Sequence, residues 1–422
     1  MNLTDQEKKL VEQAAREYFT AAVSQRTPGI PLLVTSSLGN LPVAGAFVSL
    51  KRQGQLRSCM GQFGASTTLQ SAIQRAAQLT ATSDPRFPPI TPSEVPWLEM
   101  ETWILFSPEV VDAVGEDRMQ HVTIGRHGLQ LVAGNRRGLL LPGVATDFGW
   151  NAKEFLEHVS TKAGMAPDAW KDPGTTLYRF EGIVIRTPSQ QTGGGISSGG
   201  GIPPQPTLGA AGLRNVAELI HQCLQALQAE DTQQASQKLS RIPNVGVNAV
   251  VLQVNGLHQP GESGLCGLSL SKPAGLQQVA AALCQQAVRL AQRRRILLPD
   301  EPVQLTIGTD VAMLGPGAHP DLRGMDCSRQ GLAIIDRTHW GFLYDRNTAP
   351  DSLAVEIISR SNISPQNAQL FSLAVESTAL RMAAQSSADP VTAGEVRPPA
   401  VAGQFYPRDE AEMNRQLDDL IP

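Results

Sequence analysis

The sequence has no long apolar run, no cysteine framework and no large excess of one charge. No apolar stretch reaches the roughly 18 residues that mark a membrane-spanning helix. The charged N-terminus, which begins MNLTDQEKKL, lacks the apolar core of a secretory signal. Charged residues make up only 18% of the chain and the net charge is −4, which argues against charge-driven disorder and against bulk attraction to nucleic acid. We therefore expect a cytoplasmic protein with buried cores and no membrane association.

Patterns that bind metals are also missing. The five cysteines are widely spaced and form neither a disulfide framework nor a CxxC zinc knuckle. The seven histidines form no HxxxH or HExxH motif, and no CxxxCxxC run for an iron–sulfur cluster occurs. The sequence therefore predicts no metal site and leaves any cofactor unidentified.

The chain divides into segments of different composition. Its 422 residues suggest several domains, since one domain holds roughly 100–200 residues. Residues 189–212 are rich in Gly, Ser and Pro, which is typical of a flexible linker, and a second polar linker covers 384–395. We therefore predict domains at 1–188 and 213–383, followed by a short tail at 396–422.

The first domain mixes helical and strand periodicity. Thr4 and Glu7 match a capping box, which predicts a helix that runs to Ser24. Neighbouring strands are joined by tight turns as often as by helices, which favours an α+β fold with mainly antiparallel sheets flanked by helices over a doubly wound parallel sheet. The other predicted elements are strands at Val43–Lys51, Leu56–Phe63, Trp97–Phe106, Gly128–Ala133, Gly138–Pro142 and Thr175–Ile185, and helices at Thr67–Leu79 and Trp150–Ala163.

The second predicted domain repeats features of the first. Cys59 and Cys266 are each followed ten residues later by the Leu-Gln pair that opens an Ala-rich helix. Residues 125–132 (GRHGLQLV) resemble residues 328–335 (SRQGLAII). Chance similarity between two small α+β domains is the alternative, but matched spacing at two places favours a divergent internal repeat.

The two copies differ at polar positions. In this alignment Arg57 corresponds to Gly264 and His127 to Gln330, while residues 84–89 (DPRFPP) have no counterpart. We therefore expect the second copy to have lost a site that the first retains and to serve as a structural or docking partner.

Residues 1–188 resemble the AMMECR domain family over essentially their whole length. The resemblance rests on the segments GAFVSL, LRSCMG, DPRFPP, IGRHGL and LLP, with FL and KAG further on. The family usually has LRGCIG around its cysteine, so Ser58 and Met60 depart from the pattern. The resemblance implies an α+β fold in which a larger part with an antiparallel sheet packs beside a smaller part.

The tail resembles a second family. Residues 397–407 (RPPAVAGQFYP), followed by an acidic amphipathic segment, resemble the opening of the Memo family. AMMECR and Memo domains and a radical SAM protein form the bacterial AmmeMemoRadiSam system. The resemblance therefore implies a substrate-binding or accessory component with a Memo-family protein or domain and a radical SAM protein as partners, without establishing a biochemical activity. Memo metal ligands would follow this opening, so we expect a truncated or split gene product whose tail binds no metal.

Cys59 and His127 are the candidate catalytic residues. A cation such as Arg57 beside Cys59 would favour the reactive thiolate, and His127 lies in a family-matching segment from which it could act as the base. The alternatives are that Cys59 lines a binding pocket or is a plain buried residue, and that His127 is a turn histidine with a satisfied hydrogen bond.

A binding site for an anionic small molecule or RNA is the second prediction. Arg57, Arg86 and Arg126 lie in polar segments, and converging guanidinium groups suit phosphate or carboxylate, although a surface salt bridge is the alternative for each. Ser58 and Gly61 are the other predicted ligand-binding residues, since glycine allows close approach to the backbone.

The candidate residues are expected to face one concavity. The prolines of residues 84–89 would form a rigid rim, with a cis bond at Phe87–Pro88 as one option. Two classes of function follow. The first is a non-catalytic substrate-binding or accessory component, and the second is a cysteine-dependent enzyme that acts on a small molecule or RNA.

Overall fold

The structure divides the chain into two units, each with its own sheet. The computed structural model describes residues 2–190, 207–257, 263–298 and 300–386. The first unit comprises Met1–Asp84 and Trp97–Thr192, and the second comprises Pro85–Pro96 and Gly193–Pro422. Most of the predicted linker and the whole predicted tail, with its Memo resemblance, lie outside the described residues.

In the first unit, six of the described strands form an antiparallel sheet flanked by helices, which confirms the α+β class. In sheet order the strands are β2 (Gln55–Thr68), β1 (Pro42–Arg52), β3 (Glu99–Val110), β6 (Thr176–Thr187), β4 (His127–Ala133) and β5 (Arg136–Leu140). The helices are α1 (Asp5–Val23), α2 (Leu32–Thr35), α3 (Leu69–Thr82), α4 (Pro142–Phe148) and α5 (Ala152–Lys162), with 3-10 turns at Ser37–Asn40, Gly115–His121 and Ala169–Lys171.

In the second unit, seven described strands form another antiparallel sheet. In sheet order they are β15 (Arg381–Gln385), β13 (Trp340–Asp345), β12 (Gln330–Ile335), β14 (Gln369–Ser377), β11 (Gln304–Pro316), β8 (Ala249–Gln253) and β9 (Leu265–Leu268). A separate short pair joins β7 (Gly246–Val247) and β10 (Ala274–Gly275). The helices are α6 (Gly209–Gln228), α7 (Thr232–Ser240), α8 (Leu276–Arg294) and α9 (Pro350–Ser361), with a 3-10 turn at Pro365–Asn367.

Apart from β15, the two sheets have the same strand order. The sequence β9, β8, β11, β14, β12, β13 in one sheet matches β2, β1, β3, β6, β4, β5 in the other. Both sheets also carry a bulge at the same place, near Ser107 between β3 and β6 and near Asp310 between β11 and β14. Ser107 has φ 50° and Asp310 has φ 52°, a left-handed conformation that residues other than glycine seldom adopt. This shared irregularity is more specific than strand order, because bulges are local features that a family keeps.

The bulge sets the correspondence of the neighbouring strands. Trp103 of β3 lies as many residues before Ser107 as Thr306 of β11 lies before Asp310, so Trp103 and Thr306 correspond. Their partners on the next strand are Phe47 of β1 and Val251 of β8, so these two residues correspond as well.

The position of the cysteine differs between the two units. Phe47 lies opposite Gly61 of β2, whereas Val251 lies opposite Cys266 of β9. Cys266 therefore holds the place of Gly61, and its alignment with Cys59 is wrong. Counting residues to the following helix misled the alignment because β2 runs directly into α3, whereas β9 and α8 are separated by a loop and the short strand β10.

Several predicted boundaries also differ; for example, β2 extends to Thr68 where Phe63 was predicted as its end, and β3 covers Glu99–Val110 where Trp97–Phe106 was predicted. The strand predicted at Gly138–Pro142 ends at Leu140, because Pro142 opens α4 at a position where the missing N–H of proline is not needed. Helix α6 begins at Gly209, inside the predicted linker 189–212.

The core of the first unit lies on the side of the sheet covered by α3 and α5. Val48 and Leu50 of β1 are fully buried, as is Ile73 of α3. Leu129 of β4 and Phe155 of α5 continue this core. We call this side the helix face, and the opposite side, which carries Cys59, the cysteine face. Within the described ranges, no helix is both long enough and apolar enough to cross a membrane.

Candidate functional site

Cys59 is held at the junction of β1, β2 and the end of α3. Its half-buried thiol accepts a hydrogen bond from the Ser49 hydroxyl, with 2.9 Å between Oγ and Sγ. Its backbone N–H donates to Oδ2 of Asp84 at 2.9 Å. The adjacent Ser58 is buried, and its hydroxyl donates to the Thr80 carbonyl at 2.7 Å. Ser58 therefore anchors the strand to the helix, and its side chain is not directed to a ligand.

A row of polar residues crosses the cysteine face. Ser49 lies opposite Cys59 on one side and Glu101 on the other, and Glu101 lies opposite Arg186. Oε1 of Glu101 is 3.1 Å from Lys51 Nζ and 3.1 Å from Arg186 Nε. Glu101 thus joins two cations at one end of the row while the thiol lies at the other.

Aromatic residues continue the cysteine face beside this row. Phe47 and Trp103 are neighbours on β1 and β3, and Phe63 of β2 meets Phe180 of β6 with 4.4 Å between ring centroids. Gly61 is needed here because a Cβ at this position would meet the backbone carbonyl oxygen of Ala46 and come within 2.5 Å of the Phe47 ring. Close approach of the β1 backbone and of Phe47 therefore accounts for this glycine in the described structure.

His127 lies on the opposite side of the sheet from Cys59. It pairs with Glu181, whereas the next residue, Gly128, pairs with Phe180 of the cysteine face. Because successive strand residues point to opposite sides, His127 faces the helix face. The structure therefore does not bring His127 to Cys59, and the expected thiol–base pair is not formed. The reason is that side chains alternate between the two sides of the sheet along β4.

His127 instead satisfies a backbone group. Its Nδ1 accepts a hydrogen bond from the Thr123 N–H at 3.0 Å. In the second unit, Oε1 of Gln330 accepts from the Asp326 N–H at 2.8 Å, across the same spacing in sequence. Burial, then Arg179, and then Arg126, the residue before His127, lower the pKa of His127, while Glu181 and Glu109 oppose the shift. His127 and Gln330 thus accept equivalent backbone hydrogen bonds in the two units. This agrees with the alternative that His127 is a turn histidine with a satisfied hydrogen bond.

The predicted arginines do not share one setting. Arg57 is the extra residue of a bulge between β1 and β2 and is only 2% exposed. The side chain of Arg126 is 66% exposed and pairs with Glu181, 2.6 Å from Nη2 to Oε1. Since Glu181 lies on the helix face, Arg126 is not brought to Cys59.

Arg86 belongs to the second unit. Its guanidinium lies over the Phe87 ring, 5.4 Å from the centroid, and Phe87 packs against an apolar cluster that includes Phe342 and Phe371. The Phe87–Pro88 bond is trans, so the cis option was wrong. A segment whose sequence matches the first domain thus contributes to the core of the second unit.

Sequence reasoning missed Ser49, Glu101 and Arg186. These residues lie on three different strands, and only the pairing register puts them in one row. Their one sequence signal was the alternation of polar and apolar residues along β1 and β3, which does not reveal the partner strand.

Two of the other cysteines have raised pKa values, which disfavours their thiolate forms. Burial raises the pKa of Cys266 to about 12, and burial with nearby Asp326 and Asp345 raises that of Cys327 to about 11. Among the described residues, no group of three or more His, Cys, Asp and Glu side chains is placed to hold a metal ion.

Comparisons with known proteins identify relatives that match the N-terminal part of the chain. A family model described as AMMECR1 matches residues 5–185. A protein of Methanothermobacter thermautotrophicus is 42% identical over 142 residues, which cover 33% of this chain and 74% of that protein. A Methanosarcina barkeri protein is 36% identical over 188 residues, 44% of this chain and 92% of that one. The crystal structure of an uncharacterized protein from Pyrococcus horikoshii is similar at 31% identity, covers 43% of this chain and 96% of that one, and has a TM-score of 0.39.

Proposed function

This chain belongs to the AMMECR1 family, and from that premise we propose that its first unit is a small-molecule-binding, accessory component and has no catalytic role of its own. The observation that supports this most strongly is the separation of Cys59 and His127 onto opposite faces of one sheet. A nucleophile and its base must lie within hydrogen-bond reach. Binding needs only that polar groups converge, and the cysteine face offers such a row.

The proposed binding site is the end of that row. A surface depression of about 280 Å³ lies there, and Lys51, Glu99, Glu101 and Arg186 are among its lining residues. Two cations and two carboxylates meet in it, so recognition would depend on directed hydrogen bonds more than on net charge. The volume is at the lower end for ligand pockets and suits a small polar molecule. The anionic ligand expected from the arginines stays a prediction.

We also propose that the second unit arose from the first by duplication and serves as a structural or docking partner. The shared strand order, the bulges at Ser107 and Asp310 and the shared hydrogen bonds of His127 and Gln330 support a common origin. Loss of the site is supported at β11, where the register that matches Trp103 with Thr306 puts the neutral Gln304 in the place of Glu101, the carboxylate that joins the two cations.

The partners are proposed from sequence resemblance alone. A Memo-family protein and a radical SAM protein would act with this chain in an AmmeMemoRadiSam-type system, because residues 397–407 resemble the Memo opening. Size-exclusion chromatography of the full chain mixed with each purified protein from the same genome tests this. Co-elution with either partner is expected, and separate elution of both would contradict it.

The test of ligand binding uses the full chain. Purified protein is denatured and the released small molecules are identified by mass spectrometry, for the native sequence, for Arg186→Ala and for Arg337→Ala, which changes an exposed arginine of the second unit. We expect a stoichiometric compound that Arg186→Ala loses and Arg337→Ala retains. Equal retention by both variants would show that the ligand does not use the depression, and the absence of any compound would contradict the binding role.

The cysteine-dependent enzyme is the competing function, and the hydrogen bond from Ser49 to Cys59 is the observation in its favour. A donor at 2.9 Å stabilises a thiolate, and reactivity follows the thiolate. Iodoacetamide labelling of the native chain at neutral pH, read out by peptide mass spectrometry, separates the two functions. Labelling of Cys59 no faster than a free cysteine supports the accessory role, whereas much faster labelling that Ser49→Ala abolishes would favour the enzyme. Cys266 is the internal control, since its pKa of about 12 keeps it protonated.

A further inference from the structure

Three aromatic rings are stacked where α4 meets α5. The Phe148 and Trp150 rings are 4.8 Å apart between centroids and inclined by 13°. The Trp150 and His158 rings are 3.7 Å apart, also at 13°. We call these three residues the ring stack. It lies outside the cysteine face and is not used by the proposed function.

The backbone holds the ring stack in place. Gly149 ends α4 in the left-handed conformation, φ 70°, and the N–H of Trp150 turns back to the Ala145 carbonyl at 2.8 Å. Asn151 then caps α5, with its side chain accepting from the Glu154 N–H and the Glu154 carboxylate accepting from the Asn151 N–H. The left-handed end of α4 and the capping box of α5 thus fix the connection between the two helices. The three rings are held in this arrangement without a ligand.

The outer ring is exposed. Phe148 is 69% exposed, and His158 at the other end of the ring stack is exposed as well, so the stack is open to solvent at its ends. A parallel stack that ends in an exposed ring is extended most naturally by another flat ring, because offset parallel rings attract beyond their buried area. We propose that the ring stack binds a nucleobase, from a free nucleotide or from a single-stranded RNA.

The charges around the ring stack allow this ligand. Glu157 pairs with Lys153 at 3.7 Å, and the Glu154 carboxylate is engaged by the helix cap. Asp147 precedes Phe148 and is the nearby acid that would oppose a phosphate. Base stacking is therefore the main attraction, with binding that depends only moderately on salt.

The second unit lacks a counterpart of the ring stack among its described residues. There α9 starts at Pro350, soon after β13, with no helix between them equivalent to α4. Val355 of α9 is also 69% exposed, which provides a matched site for a control substitution.

The experiment measures binding of a fluorescently labelled short oligoadenylate RNA to the full chain by anisotropy. The same sugar–phosphate chain without bases, and adenosine monophosphate as a competitor, distinguish the sources of the ligand. The variants are Phe148→Ala, Phe148→Leu, which keeps an apolar side chain without a flat ring, and Val355→Ala. We expect affinity to fall by on the order of tenfold in both Phe148 variants and to stay unchanged in Val355→Ala.

The outcomes decide the proposal. If adenosine monophosphate displaces the labelled oligoadenylate, a free nucleotide is sufficient for binding at the ring stack. If the oligoadenylate binds and adenosine monophosphate does not displace it, the ligand is single-stranded RNA. Equal binding of the base-free chain, full affinity in Phe148→Leu, or no binding of either probe would overturn the proposal. Self-association of the chain that Phe148→Ala abolishes, in the absence of RNA binding, would identify a second copy as the occupant instead. The ring stack shares no residue with the depression lined by Arg186. Failure of this experiment would therefore not contradict the proposed small-molecule binding at that depression.

Discussion

His127 shows how a residue that looks catalytic in the sequence can be structural in the fold. Its Nδ1 and the Gln330 side chain accept the same hydrogen bond in the two units. A neutral imidazole is needed for this, since a protonated ring has no acceptor. Burial and the nearby arginines, which lower the pKa of His127, keep it in that neutral form.

The first prediction is a pH effect at His127. A group whose pKa is lower in the folded state contributes stability above its unfolded pKa, about 6.5 for histidine, and loses that contribution as pH falls through the folded pKa. The free energy of unfolding should therefore decline as the pH falls below about 6.5. His127→Gln should retain the hydrogen bond and flatten this decline. Urea titrations at several pH values test this, with exposed His121→Gln as the control; an undiminished decline in His127→Gln would contradict it.

Arg118 is a buried arginine that holds loops together. Its guanidinium donates to the carbonyls of Ala113, Trp170 and Thr175. The sequence offers no way to distinguish it from Arg126, which is exposed and bound to one carboxylate, because both look like isolated arginines in polar segments.

The second prediction compares these two arginines. Arg118→Met should lower the free energy of unfolding by about 3 kcal/mol, because several buried carbonyls lose their donors. Arg126→Met should lower it by about 1 kcal/mol or less, as expected of an exposed ion pair. Denaturant unfolding of both variants tests the difference. Similar losses in the two would show that Arg118 is not the structural residue that its contacts indicate.

The secondary elements were largely predictable from local pattern. The Thr4 capping box opens α1 as expected, with the Thr4 hydroxyl accepting from the Glu7 N–H. Helix α4 was missed because a short helix has no measurable periodicity. Sheet register and the faces that follow from it depend on pairings between distant residues, and so the separation of Cys59 from His127 was not visible in the sequence.

The third prediction concerns the bulge in β3. Ser107 is exposed and has φ 50°, so its Cβ strains the backbone without a buried contact in return. Ser107→Gly should raise the free energy of unfolding by about 1 kcal/mol, and Ser107→Val should lower it by at least as much. Thermal and urea unfolding measure both. A gain from valine would mean that the bulge adopts another conformation.

At the scale of the whole molecule, residues 85–96 are the part least predictable from sequence. They lie between α3 and β3 of the first unit, yet Phe87 packs in the second unit's apolar cluster. Composition predicted the existence of two parts, because a Gly-rich segment separates them. Composition did not predict that the proline-rich residues 85–96 would belong to the second unit, since this assignment depends on tertiary packing alone.

The extra strand β15 covers the edge of β13 in the second sheet, and on its outer side the Ala383 carbonyl accepts a hydrogen bond from the Gly264 N–H at 2.8 Å. This strand pairs with β13, whereas the corresponding β5 pairs among the described strands only with β4. An open strand invites pairing with another molecule, and charged side chains discourage it. Arg136 and Arg137, both exposed, lie on β5 and supply that charge. Arg137→Val should therefore increase the light scattering of concentrated solutions. The control Arg346→Val, which lies beyond the end of β13, should not. Equal scattering by the two variants would show that the charge on β5 does not prevent association of the first sheet.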